Sequence, residues 1–202
     1  MAIEFNRTDY AGHFPEIWRG ECKILPGGFK PVKDLAVGTV LRRGVPLFVD
    51  FDNMTAAVCK TALVVNGGTT TKVRVQKGHY FAVGDVLTKY GDGTATPTVN
   101  DIDKSNTAYD VITLSKAYSG IAAEDILVES AAPEKDGEKA APLHEPNMIV
   151  GSELHVDGKG LPTIDAAFEA VVLTPSLAAP MLPEWLNGVC LKHNPNIIYI
   201  KQ

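Results

Sequence analysis

The chain has 202 residues, of which 45% are apolar and 21% charged, with a formal net charge of −5. That balance belongs to folded globular proteins and excludes collagen-like, coiled-coil and wholly disordered classes. It supplies no positive field to hold a phosphate backbone or an anionic bilayer, and no run approaches the roughly 20 apolar residues that cross one, so neither nucleic acid nor membrane is expected as a partner.

Met1–Arg7 lacks a basic stretch ahead of an apolar one, which predicts no secretory leader and synthesis in the cytoplasm. Residues 1–34 form an expected extended N-terminal arm, because Phe5, Tyr10, Phe14, Trp18 and Phe29 are scattered among glycines and prolines too frequent for a long helix. Large rings on an irregular segment have little core of their own. They are expected to dock on the body, a sister subunit or another protein, which makes Phe5, Tyr10, Phe14 and Trp18 candidate partner-binding residues.

Residues 35–130 read as a β-rich core domain. Short β-branched runs at 37–41, 46–49, 62–65, 72–75, 80–87, 111–114 and 126–128 are separated by Gly, Asn and Asp clusters. Asn66-Gly67-Gly68 sits between two such runs as a hairpin turn and lacks the spacing of a phosphate-binding loop. The texture predicts a mainly β fold, a small antiparallel barrel or sandwich with an irregular N-terminal arm and a C-terminal extension containing a short helix.

A faint internal repeat lies in this region. Leu35-Ala36-Val37-Gly38-Thr39-Val40-Leu41 is echoed by Phe81-Ala82-Val83-Gly84-Asp85-Val86-Leu87 and by Ile121-Ala122-Ala123-Glu124-Asp125-Ile126-Leu127. Each copy reads as an apolar residue, a tight turn and a strand start, with glycine supplying backbone freedom in the first two. The unequal spacing excludes a solenoid, so the copies are a recurrent strand-entry device.

Residues 131–147 are charged and rich in Pro and Ala, as expected of a linker or long loop. In the C-terminal α+β segment, 148–202, residues 148–156 suggest a strand, and 163–173 fit either a short helix or a strand. Pro183–Gly188 suggests a single helical turn, and 196–201 a closing strand.

Tests for chemistry find no cofactor fingerprint and no catalytic motif. Cys22, Cys59 and Cys190 are odd in number and far apart, which fits neither a disulfide framework nor a zinc site. They read as reduced thiols, with Cys59 and Cys190 in apolar surroundings. Asp101, Asp103 and Ser105 begin like a calcium loop, but Asn106 and Ile112 stand where it needs glycine and glutamate. No two of His13, His79, His144, His155 and His193 have metal-ligand spacing. GxSxG and serine–lysine pairs are missing, and Asp50, Asp52, Glu124 and Asp125 read as solvated charges. No enzyme activity, cofactor or metal is therefore expected.

The order Phe81-Ala82-Val83-Gly84-Asp85-Val86-Leu87, Asn100-Asp101-Ile102-Asp103, Tyr109-Asp110-Val111-Ile112-Thr113-Leu114 and Asp125-Ile126-Leu127-Val128 resembles the β-rich domain of tailed-phage head decoration and head fibre proteins, over residues 78–130. The resemblance implies a non-enzymatic virion component, made in the host cytoplasm. It would bind the major capsid protein on the outer capsid surface, usually as a trimer. An extended terminus then has work to do, adding a strand to an exposed sheet edge, and threefold repetition multiplies weak contacts. Two alternatives stand beside it. One is a carbohydrate-binding or adhesin-like module using Trp18, Tyr90, Tyr118 or Trp185 as sugar platforms. The other is a small hydrolase built from Asp50, Asp52 and His79.

Overall fold

The computed structural model describes residues 16–131 and 138–201. Four strands come first: β1 (Trp18–Pro31), β2 (Val40–Leu41), β3 (Pro46–Asp50) and β4 (Thr55–Val58). A run of short strands follows, β5 (Thr61–Leu63), β6 (Lys72–Gln76), β7 (Leu87–Lys89), β8 (Val99–Asp103), β9 (Tyr109–Leu114) and β10 (Ile126–Glu129). The C-terminal part holds β11 (Met148–Val150), β12 (Leu154–His155), β13 (Ile164–Leu173), β14 (Leu186–Asn187), β15 (Cys190–Leu191) and β16 (Asn194–Ile200). The fold is mainly β, as expected. The short C-terminal helix is no more than two 3-10 turns, Thr174–Ser176 and Pro183–Trp185, so the α+β description of 148–202 is corrected.

The strands form two units. In the first, hydrogen-bonded neighbours run β1–β4–β3–β11–β13–β16–β15–β14, and β1 also pairs with β13. The pairings β1–β4–β3–β11–β13 thus return on themselves. Strand alternation fills their interior: Leu47 and Val49 of β3 point inward and Phe48 outward, and Phe29, Val58, Val150, Ile164 and Ala166 complete the same cluster. The opposite side of β13 carries Ala167, Ala170 and Val172, which pack with Ile149, Ile197, Leu191 and Tyr199. β13 has β1 on one side and β11 followed by β16 on the other. With partners on both flanks, residues 163–173 are strand, and the helical alternative falls.

The second unit holds residues 59–130. Its two three-stranded sheets, β5–β10–β7 and β6–β9–β8, are joined at both edges by the bridges Val64–Val75 and Val86–Thr98. Val73, Val75, Leu87, Ile112, Leu114 and Leu127 fill the space between them. Fully burying a Leu or Ile such as Leu127 or Ile112 contributes about 1.5–3 kcal/mol.

The pairing divides the chain differently from a boundary at 35 and 130. β3 and β4 belong with β11, and within the expected arm, of which residues 1–15 lie outside the described residues, Trp18–Pro31 is the 14-residue strand β1 of the first sheet. Residues 59–130 are in effect an insertion between β4 and β11. Residues 132–137 of the expected linker or long loop, 131–147, lie outside the described residues. From residue 138 onward, Ala140 N–H donates to Gly93 O (2.9 Å) and Leu143 N–H to Glu129 O (2.8 Å), so the chain runs along the second unit.

The three repeat copies share one geometry. Thr39 N–H donates to Ala36 O, Asp85 N–H to Ala82 O and Asp125 N–H to Ala122 O, each closing a turn. The residue before it donates to a neighbouring segment, whose N–H returns a bond to the turn-closing residue: Gly38 N–H to Val156 O and Val156 N–H to Thr39 O, Gly84 N–H to Val99 O and Val99 N–H to Asp85 O, Glu124 N–H to Val64 O and Val64 N–H to Asp125 O. The third residue of each turn, the fourth of each copy, lies at φ +87° in Gly38, +92° in Gly84 and +73° in Glu124. Residues 80–87 therefore contain a chain reversal, and only Val86 and Leu87 of that expected strand pair. A side chain at positive φ costs about 1–2 kcal/mol, partly offset by the unfolded-state entropy that glycine adds. Glu124→Gly is thus expected to raise stability by about 0.5–1 kcal/mol, whereas Gly84→Ala, with open space around the added carbon, lowers it by about 1 kcal/mol. Urea unfolding of the two variants checks both signs.

Candidate functional site

Four charged side chains meet where the two units join. Lys60 lies on the crossing from β4 to β5, Glu129 ends β10, Asp85 closes the second repeat turn, and Lys33 follows β1. Lys60 Nζ donates to Asp85 Oδ2 (2.6 Å) and lies 3.4 Å from Glu129 Oε1. Lys33 Nζ donates to Asp85 Oδ1 (2.9 Å) and to the same Glu129 oxygen (2.6 Å). The backbone fixes the frame: Ala82 N–H donates to Asp85 Oδ2 (2.8 Å), and Glu129 N–H to Lys60 O (3.0 Å).

Burial separates the two lysines. The side chains of Lys60, Asp85 and Glu129 are 8%, 3% and 5% exposed, whereas Lys33 is 55% exposed. Cys59, Val128, Leu143, His144 and Trp185 close over Lys60 and Glu129 without room for a water molecule. Two ammonium groups balance two carboxylates, which is the condition for keeping charges in such a place. Burial pushes the Asp85 carboxyl up. The hydrogen bond from Lys60, that from Ala82 N–H, the Lys60 charge and the Lys33 hydrogen bond outweigh it, and hold the group below the usual carboxylate range. Burial, and then the Glu129 charge, push the Cys59 thiol up, so that cysteine is inert.

Sequence reasoning missed Lys60 and Glu129. A signal existed, since Lys60 is the one charged residue between Met54 and Val65. A lysine inside an apolar strand-like run must find buried partners or distort the strand.

A second buried group is His79. Its Nδ1 accepts from Phe81 N–H (3.2 Å), which leaves the proton on Nε2, 3.3 Å from Asp110 Oδ2 but poorly aligned with it. Lys77 Nζ donates to Asp110 Oδ1 (2.6 Å). Burial lowers the His79 pKa to about 4. Asp110 opposes that shift, and Lys104 and Lys77 add to it. The folded pKa is below the unfolded value near 6.5, so the stability from neutral His79 is present above pH 6.5 and is lost as pH falls toward 4. The expected slope is about 1 kcal/mol per pH unit. Urea midpoints of the parent and of His79→Asn between pH 7 and 5 check it, the variant being expected to show the flatter profile.

The outer surface of the first unit presents Phe48, Phe51 and Met54 on the β3–β4 hairpin, 37%, 51% and 47% exposed. Phe51 meets Phe29 edge-on and Phe48 stacks on His144. Beside Phe51 lies an open groove of about 460 Å³, lined among others by Leu25, Phe168, Asn194 and His193. Glu145 at its rim pairs with His193 and with Lys192 (3.0 Å). Asn147 in the groove wall is already used, because its amide makes two hydrogen bonds with Val49 backbone in the manner of a neighbouring strand.

Of the candidate partner-binding residues, Phe5, Tyr10 and Phe14 lie outside the described residues. Trp18 opens β1 opposite Val172, half-buried, with the Arg43 guanidinium 5.9 Å from its ring. Of the proposed sugar platforms, Tyr118 and Trp185 are buried, and the Tyr118 hydroxyl is taken up by Lys89 N–H and Asp92. The hydrolase set is not assembled either. Asp50 caps the β3–β4 turn through Asp52 and Asn53, while His79 faces Asp110. Asp103 folds back on Ser105 N–H (2.9 Å). Comparisons with protein-family models, with curated proteins and with solved structures return no match to this chain.

Proposed function

We propose that this chain is a phage or prophage virion protein that decorates the capsid surface, as a head decoration or head fibre protein. It acts as a trimer on the major capsid protein and performs no catalysis. The observation that carries this reading is the resemblance over residues 78–130, whose segments occur in order within a single folded unit. The Val83-Gly84-Asp85-Val86-Leu87 portion belongs to a turn anchored on β8 through Val99. The exposed Phe48, Phe51 and Met54 add apolar area of the kind a clamp needs against a large partner. Location on the capsid follows from the same reading.

Multi-angle light scattering on the purified chain tests the oligomer. Three chains per particle, unchanged on dilution through the micromolar range, is the expected result. A monomer at every concentration contradicts the proposal, because single weak contacts then gain nothing from symmetry.

A further inference from the structure

We propose that Lys60 and Asp85 become joined by an intramolecular amide bond, which the folded protein forms on itself with Glu129 as the proton carrier. This modification site stands independently of the capsid reading.

Three features of the junction favour it. The reacting groups are already in contact, with Lys60 Nζ 2.6 Å from Asp85 Oδ2, and the backbone bonds from Ala82 and Glu129 hold the segments that carry them. Such preorganisation turns an unfavourable condensation into a step within one molecule. The contact is buried, the Lys60 and Asp85 side chains being 8% and 3% exposed. Attack begins with one proton passing from Nζ to the Asp85 carboxyl along their 2.6 Å hydrogen bond, which replaces two charges by a neutral amine and a neutral acid. The third feature is a second carboxylate within reach, Glu129 Oε1 at 3.4 Å from Nζ. Besides balancing Lys33, that carboxylate stands where it can relay protons during amide formation.

The step balances without any co-reactant. The Nζ lone pair attacks Asp85 Cγ, an N–C bond forms, and the carbonyl π pair moves onto oxygen. Glu129 takes a proton from nitrogen and delivers it to the departing hydroxyl. The C–O bond breaks and water leaves. One ammonium and one carboxylate disappear together, and Lys33 and Glu129, 2.6 Å apart, remain as a balanced pair. Lys33 also touches Asp85, but its largely exposed amine stays protonated in water and is a poor nucleophile. The product pins the turn before β7 to the crossing strand at the base of the second unit.

Intact-mass spectrometry of the denatured full chain decides the matter, with the mass referred to the N-terminus found by sequencing. The expected result is a loss of one water, about 18 Da, together with a branched tryptic peptide that joins residues 44–72 to 78–89 and is uncut after Lys60. Lys60→Arg and Glu129→Gln are expected to keep the full mass. An unshifted mass in the parent protein overturns the proposal whether or not the variants fold. So does a water loss confined to one linear peptide, or a branch on Lys33. A folded Glu129→Gln protein that still loses water overturns the role given to Glu129.

Discussion

Lys60→Met is expected to lower the free energy of unfolding by about 3–5 kcal/mol, because it leaves two buried carboxylates facing the single exposed-side cation Lys33. The size of the effect comes from desolvation more than from the lost attraction. At the surface an ion pair contributes about 0–1 kcal/mol. Here Asp85 and Glu129 are out of water, and without Lys60, whether it serves as counter-charge or as amide partner, one of them is stranded. Adding Asp85→Asn to Lys60→Met removes the stranded charge and keeps an oxygen for Ala82 N–H, while Glu129 retains Lys33. The double variant is therefore expected to recover about 1–3 kcal/mol of the loss. Urea unfolding of the parent, both single variants and the double variant measures this. A double variant no more stable than Lys60→Met contradicts the account of the cluster.

Trp185→Ala is expected to cost about 3–5 kcal/mol, the range for emptying a packed aromatic site. Trp185 is 1% exposed and packs on Cys59, Val128 and Leu182, where the crossing strand, β10 and the C-terminal loop meet. Its loss opens a cavity at the seam between the units and beside the charge cluster. The indole Nε1 has no hydrogen-bond partner, so Trp185→Phe removes an unsatisfied donor along with some volume. That variant is expected to cost about 1–2 kcal/mol. Thermal unfolding of the two variants separates the cases. Equal losses in both show that ring volume is not what holds the seam.

The parts of this fold legible in the sequence are those written in local chemistry. The turn at Asn66-Gly67-Gly68 and the three strand-entry turns depend on residues adjacent in the chain. The reading of Leu35–Leu41, Phe81–Leu87 and Ile121–Leu127 as one device anticipates a geometry that all three copies share. The parts that were not legible depend on distant partners. Pro46–Val49 and Lys72–Val75 have the same β-branched texture, yet one pairs with β11 and the other with β9. Nothing within either run distinguishes the two, so the two units merged into one expected domain. Residues 163–173 were ambiguous for a related reason, since Ala166, Ala167 and Ala170 carry no strand preference of their own. Close packing against Phe29 and Ile149, and partners on both flanks, make that segment a strand. The charge cluster gathers residues from four places along the chain, and only Lys60 announces itself by standing alone among apolar neighbours.

Co-sedimentation with capsids assembled from the major capsid protein of the same phage is the most direct test of the proposed capsid-bound structural role. Saturable binding at a fixed number of copies per capsid hexamer, with added resistance of those capsids to heat or chelators, is the predicted outcome. A chain that stays in the supernatant at every concentration, and leaves capsid stability unchanged, contradicts it.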